Sequence, residues 1–124
     1  MKNVLIVDDD EAILSNFKAL LQNDNTNIYT SPTVKGALTI LDFTKIDVAI
    51  LDYKLPKLPG DKLASYIKKK YPDTKVIIIS GYYDAAKAVA KLDVKIHGFL
   101  KKPVDLDVFE KIVYGVDEDI VHDT

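Results

Sequence analysis

Apolar residues come in short unbroken runs: Val4-Leu5-Ile6-Val7, Val48-Ala49-Ile50-Leu51 and Val76-Ile77-Ile78-Ile79, with weaker runs at Ile28-Tyr29 and Phe99-Leu100. They are rich in β-branched residues and continuous rather than alternating, the mark of strands buried on both faces in a parallel sheet covered by helices. Between them the apolar positions take helical spacing: Ile13, Phe17, Leu20 and Leu21; Val34, Ala37, Leu38 and Leu41; Leu63, Ala64 and Ile67; residues 85–92; and Leu106, Phe109, Ile112 and Val113. Pro32 and Pro59 stand where a first helical turn tolerates proline, while Tyr71-Pro72 and residues 23–27 break the chain between elements. The pattern predicts five βα units. Alternating elements with right-handed crossovers make a three-layer α/β sandwich.

Composition narrows the function. With 124 residues, 48% hydrophobic and 29% charged, the chain fits one domain with one core. The absence of cysteine excludes a disulfide scaffold, a thiolate zinc site and a cysteine nucleophile. No apolar run approaches the ~18 residues that span a bilayer, and the start is unlike a signal peptide, so a soluble, cytoplasmic protein is expected. Formal net charge is −2, and all 17 basic residues are lysine. A mildly acidic chain without arginine is a poor candidate for direct nucleic-acid contact. Lys68-Lys69-Lys70, the one tight basic run, reads as a solvated helix end favoured by the dipole.

Ligands of open α/β sheets bind beyond the carboxyl ends of the strands. There this sequence places Asp8, Asp9, Asp10 and Glu11 after the first strand, Asp52 after the third, Ser80-Gly81 after the fourth and Lys101-Lys102-Pro103 after the fifth. Taken singly, Asp8 to Glu11 read equally well as an N-cap with dipole-favouring acids. Taken together, the set is specific. Two carboxylates ~4 Å apart repel by about 4 kcal/mol at an effective dielectric near 20, and a divalent cation relieves this. Hard oxygen ligands without His or Cys suit Mg²⁺, which binds through one or two carboxylates together with phosphate.

Val4 to Asp9 with Glu11, Leu51-Asp52-Tyr53-Lys54-Leu55-Pro56 with Gly60, Ile78-Ile79-Ser80-Gly81, and Phe99-Leu100-Lys101-Lys102-Pro103 together resemble the receiver domain of two-component response regulators, along the whole chain. The resemblance implies a flavodoxin-like, doubly wound five-stranded parallel sheet in the order 2-1-3-4-5. It implies a single receiver domain over residues 1–124, in which 115–124 extend the last helix or begin a linker. Asp52 would accept a phosphoryl group from a histidine kinase. Asp8, Asp9, Asp52 and the backbone carbonyl of Lys54 would hold Mg²⁺. Ser80 and Lys102 would bind phosphoryl oxygens; strand alternation favours Lys102 over Lys101. Ser80 and Phe99 would form a switch read out on the face of the fourth predicted helix, the fifth strand and the fifth predicted helix. Lys54 and Tyr82 would tune phosphoryl lifetime, and Lys102-Pro103 would be a cis peptide. The implied partners are a sensor histidine kinase or phosphotransfer protein, a downstream protein or output domain, and, as an option, a second copy in a phosphorylation-dependent homodimer. Neither direct nucleic-acid nor membrane binding is expected.

Some positions depart from the common pattern. Gly81 replaces a frequent alanine, although Ser80-Gly81-Tyr82 with Asp84 is similar to receivers of enhancer-binding regulators and hybrid kinases. Lys95-Ile96 stands where many relatives have Gly-Ala, and Phe99 lacks a tyrosine's hydroxyl. His97 reads as a partly exposed structural residue, and Tyr82 and Tyr83 as loop-packing aromatics. Two other readings compete. A phosphatase of the haloacid dehalogenase type shares Asp8-x-Asp10 with a later Ser and Lys, but Asp105 and Asp107 come after the Lys-Pro pair rather than after a further strand. An interaction module that is never phosphorylated would not need the full acid, hydroxyl and lysine set.

Overall fold

In the computed structural model, which describes residues 2–81, 87, 90–104, 106–114 and 120–122, the five expected strands are β1 (Lys2–Val7), β2 (Thr26–Ser31), β3 (Val48–Asp52), β4 (Lys75–Ser80) and β5 (Gly98–Lys101). They pair in parallel in the order β2-β1-β3-β4-β5. The helices are α1 (Glu11–Leu21), α2 (Val34–Phe43), α3 (Gly60–Lys70) and α4 (Leu106–Tyr114), the last being the fifth of the predicted helices. The helix expected over residues 85–92 falls largely outside the described residues. Among the described residues no helix is long and apolar enough to cross a membrane.

A sixth strand, β6 (Ile120–His122), pairs in parallel with β5, with Phe99 opposite Val121. Of the two alternatives expected for 115–124, a helix extension does not hold at these three residues; the others of that stretch lie outside the described residues. The outer edge of β5 presents a row of unpaired backbone groups, and an Ile-Val-His segment returning after α4 extends the ladder along it.

The unbroken apolar runs are explained by burial on both sheet faces. Leu5 and Val7 of β1, Ala49 and Leu51 of β3 and Val76 and Ile78 of β4 point to one side, where they meet Ala37 and Leu41 of α2 and Leu63, Ala64 and Ile67 of α3. Their alternates, Val4 and Ile6, Val48 and Ile50, and Ile77 and Ile79, meet Leu14 and Leu21 of α1 and Phe109 of α4 on the other. The Phe17 and Phe109 rings stack at a centroid distance of 4.7 Å, tying α1 to α4. Leu20 departs from its expected place in the core and is 59% exposed, because the buried stripe of α1 runs through Leu14 and Leu21 and turns Leu20 outward.

Candidate functional site

Strand register assembles the site. β1 and β3 pair with Val7 opposite Leu51, so the residues that follow, Asp8 and Asp52, leave the sheet side by side. Asp52 pairs with Ile79 in β4, and Ser80 at the end of that strand pairs with Lys101 of β5. Carboxylate oxygens of Asp8, Asp9 and Asp52 all lie within 4.8 Å of one another. They line a cavity of about 550 Å³ together with Asp10, Lys54, Gly81 and Lys102.

Lys102 carries the balancing charge. Its Nζ lies 3.1 Å from Asp8 Oδ2 and 3.5 Å from Asp52 Oδ1. Burial by itself would lower the Lys102 pKa, but the hydrogen bond to Asp8 and the charges of Asp52 and Asp8 outweigh it, so the net shift is upward. Asp52 is pushed above the usual carboxylate value first by burial and then by the Asp8 charge; Lys102 and the backbone N–H of Lys54 offset part of this. Three acids thus face one ammonium. A hard divalent cation fits this set of oxygen donors, which contains no nitrogen or sulfur ligand.

The acids that follow β1 divide their roles. Asp10 is the N-cap of α1, accepting from the backbone N–H groups of Ala12 and Ile13 at 3.0 and 3.3 Å, while its own N–H donates to Asp8 Oδ1 at 2.9 Å. The capping reading is therefore right for Asp10. Asp8 and Asp9 are left to face Asp52.

Gly60 explains how the third strand end is held. Its N–H donates to the Tyr53 carbonyl at 2.6 Å, and a Cβ placed on it would lie 2.4 Å from the Asp52 carbonyl oxygen. Only glycine lets α3 start this close to Asp52. In the preceding loop Lys57 has φ 71°, a left-handed conformation uncommon for a residue with a side chain. Neither the close approach nor the left-handed lysine is legible from spacing alone.

Other predicted residues fall as follows. Ser80 is fully buried, and Gly81 rather than Ser80 lines the cavity. A Cβ on Gly81 would meet Lys102 Cβ at 3.9 Å, an ordinary contact, so this departure from alanine has no steric cause. Phe99 is 3% exposed and packs in the cluster on the α2 and α3 side of the sheet. The Lys102-Pro103 peptide is cis. Tyr82 and Tyr83 lie outside the described residues. His97, expected to be partly exposed, is instead buried at 8% exposure, because β5 begins beside it and its N–H donates to the Val76 carbonyl. Ile96 packs against the core, in the loop where Gly-Ala is common.

The lysine run has structural partners. Lys68 Nζ donates to the Pro72 and Thr74 carbonyls at 2.8 and 2.9 Å, Lys69 pairs with Asp93, and Lys70 pairs with Asp42 at 3.2 Å.

Comparison with known proteins agrees with this geometry. The family model described as the response regulator receiver domain matches residues 4–114. The transcriptional regulatory protein GlrR of Escherichia coli K12 is 29% identical over 111 residues, which cover 90% of this chain and 25% of the relative. The chain thus spans about a quarter of that relative's length. A response regulator receiver domain protein from Clostridium thermocellum superposes with a TM-score of 0.82 at 32% identity, covering 91% of each chain. The response regulator protein TrrA of Thermotoga maritima, solved in complex with Mg²⁺-BeF, superposes with a TM-score of 0.78 at 27% identity over 91% of this chain and 96% of that one. The sheet order, the paired strand ends and the acid cluster are all accounted for when the chain is placed where these comparisons put it: it belongs to the response regulator receiver domain family, whose members are signalling domains of two-component systems rather than classical enzymes.

Proposed function

We propose that this chain is a single receiver domain over residues 1–124 that accepts a phosphoryl group on Asp52 from a histidine kinase or phosphotransfer protein in the cytoplasm. The observation that carries the reading is the position of Asp52 on a cavity of about 550 Å³, with Asp8 and Asp9 within 4.8 Å and the Lys102 ammonium at 3.5 Å. An Asp52 carboxylate oxygen attacks the phosphorus of a phosphohistidine. The P–N bond breaks, its electron pair stays on the imidazole, and an acyl phosphate forms. Such transfer depends on positioning and charge neutralisation more than on covalent assistance. Lys102, already held between Asp8 and Asp52, is placed to take up a phosphoryl oxygen as a point charge. Asp8, Asp9, Asp52 and the Lys54 carbonyl would hold Mg²⁺, which supplies charge neutralisation when bound.

Output runs through Ser80 and Phe99 to a downstream protein or output domain. Phosphorylation adds close to two negative charges and new acceptor oxygens. Charge-assisted hydrogen bonds of ~1.5–3 kcal/mol each, two of them from Ser80 and Lys102, sum to ~3–6 kcal/mol, which at its upper end meets the ~5.5 kcal/mol that inverts a two-state equilibrium. Phe99 is buried from the start, so the switch begins with its ring inward. Lys54, on the cavity wall, and Tyr82 set the lifetime by hindering the attacking water, and homodimerisation on phosphorylation is one mode of output.

Intact mass after incubation with acetyl phosphate and Mg²⁺ tests the reading. The parent is expected to gain one phosphoryl group and Asp52→Asn none; equal labelling of both would overturn it. In a Mg²⁺ titration, Asp9→Asn should weaken binding more than Asp10→Asn, whose carboxylate is engaged in the α1 cap. Phosphoryl decay should quicken in Lys54→Ala or Tyr82→Ala.

A further inference from the structure

At the opposite end of the sheet, where β3 and β4 begin, the carboxyl-terminal ends of α2 and α3 frame a second cavity of about 420 Å³. Its lining combines the buried Leu41 and Ile46, with Tyr71 and Pro72, and two threonines and four charged residues. Phe43, the last residue of α2, stands in its wall and at 86% exposure is the most exposed large apolar side chain among the described residues. Phosphoryl chemistry makes no use of this end of the molecule.

The walls of the groove are bonded to one another. Thr74 Oγ1 donates to the Ile46 carbonyl at 2.8 Å, and Thr74 N–H donates to the Tyr71 carbonyl at 3.0 Å. Lys68 fastens the Pro72 and Thr74 carbonyls from α3. Lys70 holds Asp42 across the two helices and lies over the Tyr66 and Tyr71 rings at 5.7 and 5.5 Å. Walls fixed by bonds within the chain lose little freedom when an occupant arrives, which favours binding.

We propose that the occupant is a second copy of this chain, with Phe43 of each copy seated in the groove of the other. A two-fold contact requires one patch to be complementary to itself. This patch carries both an exposed ring and a recess with an apolar part. Its rim carries two acids, Asp42 and Asp73, and two lysines, Lys45 and Lys70. Asp42 and Lys70 pair within the chain, which leaves the exposed Lys45 and Asp73 as the charges able to pair across the axis, each with the other's counterpart in the second copy. A partner of uniform charge would meet a like charge on this rim, whereas a rim carrying both signs can be matched by its own copy. The contact lies at the far end of the sheet from Asp52 and requires neither phosphorylation nor the reading of that site. It is small, so the pairing is weak, with a dissociation constant of roughly 0.1–1 mM.

Sedimentation velocity from about 0.01 to 1 mM protein, without phosphodonor, tests the pairing over that range. The parent should shift toward dimer with concentration, and Phe43→Asp should weaken association by about tenfold or more. Lys45→Asp and Asp73→Lys, each placing like charges face to face, should weaken it by about fivefold apiece, and the double reversal should restore it to within about twofold. A parent that stays monomeric throughout overturns the proposal, including in favour of an occupant of different sequence. So does a dimer indifferent to Phe43→Asp, or a double reversal that fails to recover.

Discussion

Asp52 and Asp42 are the same residue type at opposite ends of one sheet, and their surroundings drive them in opposite directions. Asp42 is exposed, accepts from the Tyr71 hydroxyl and the Lys70 ammonium, and is held below the usual carboxylate value by those two donors. Asp52 is buried, sits beside Asp8, and is pushed above that value despite Lys102. One end has its acid matched to donors; the other gathers three acids around one lysine. The mismatch leaves an excess of negative charge that a cation would neutralise, and perturbed groups of this kind concentrate at functional sites.

The most severe test of the comparison is steric. If the crowded end depends on α3 starting against the Asp52 carbonyl, Gly60→Ala must push that contact apart from 2.4 Å. The expected loss is about 3 kcal/mol of unfolding free energy in urea, at the upper end of the usual overpacking range. A loss under about 1 kcal/mol would mean that α3 shifts freely and that the site is less tightly built than its packing implies.

Removing the ammonium paired with Asp8 and Asp52 comes next. Lys102→Met leaves Asp8 and Asp52 facing each other without the ammonium that pairs with both, and is expected to lower stability by about 2 kcal/mol in metal-free buffer. Mg²⁺ should recover much of that loss. An equal loss with and without Mg²⁺ would mean that Lys102 acts through packing of its stem rather than through charge.

The difference in matching also explains what the sequence revealed. The fold was legible because Val4 to Val7, Val48 to Leu51 and Val76 to Ile79 are buried on both faces, which forces unbroken apolar runs. The acids of the site were legible for a related reason: chemistry at strand ends follows directly after those runs. What spacing hid was contact between distant segments. Nothing local to His97 signals that β5 will bury it, and nothing in Lys68-Lys69-Lys70 names Pro72, Asp93 and Asp42 as three separate partners. The strand at Ile120–His122 escaped notice because three residues beside an acidic stretch are too short to carry a periodic signal.

A smaller effect of opposite sign is expected when an acid is removed from the crowded end. Asp52→Asn should raise stability by about 1 kcal/mol at neutral pH without metal, since a buried charge beside Asp8 disappears. The pH dependence fixes the cause. Because the folded-state pKa of Asp52 is raised, the native state holds its proton more firmly than the unfolded chain, so stability falls as pH rises from the ordinary value of 3.8 through the raised one. The parent should show this decline and Asp52→Asn should lack it. Parallel profiles would remove burial of Asp52 as the source of the gain.

The smallest effect belongs to the matched end. Lys70→Met removes one donor from Asp42, but the Tyr71 hydroxyl remains and both groups face solvent, where ion pairs contribute little. The methionine stem can still lie against the Tyr66 and Tyr71 rings, so the melting midpoint, measured in dilute protein, should move by no more than about 2 °C. That difference should shrink further in about 1 M salt, where exposed charges are screened within ~3 Å. The pH sign is the reverse of that for Asp52. A depressed Asp42 contributes stability that is present above 3.8 and lost as pH falls through its lower folded value, and Lys70→Met should narrow that window. If Lys70→Met instead destabilises as much as Lys102→Met, or resists salt, the two ends are not matched and mismatched as described, and the charge excess around Asp52 is no longer what sets the site apart.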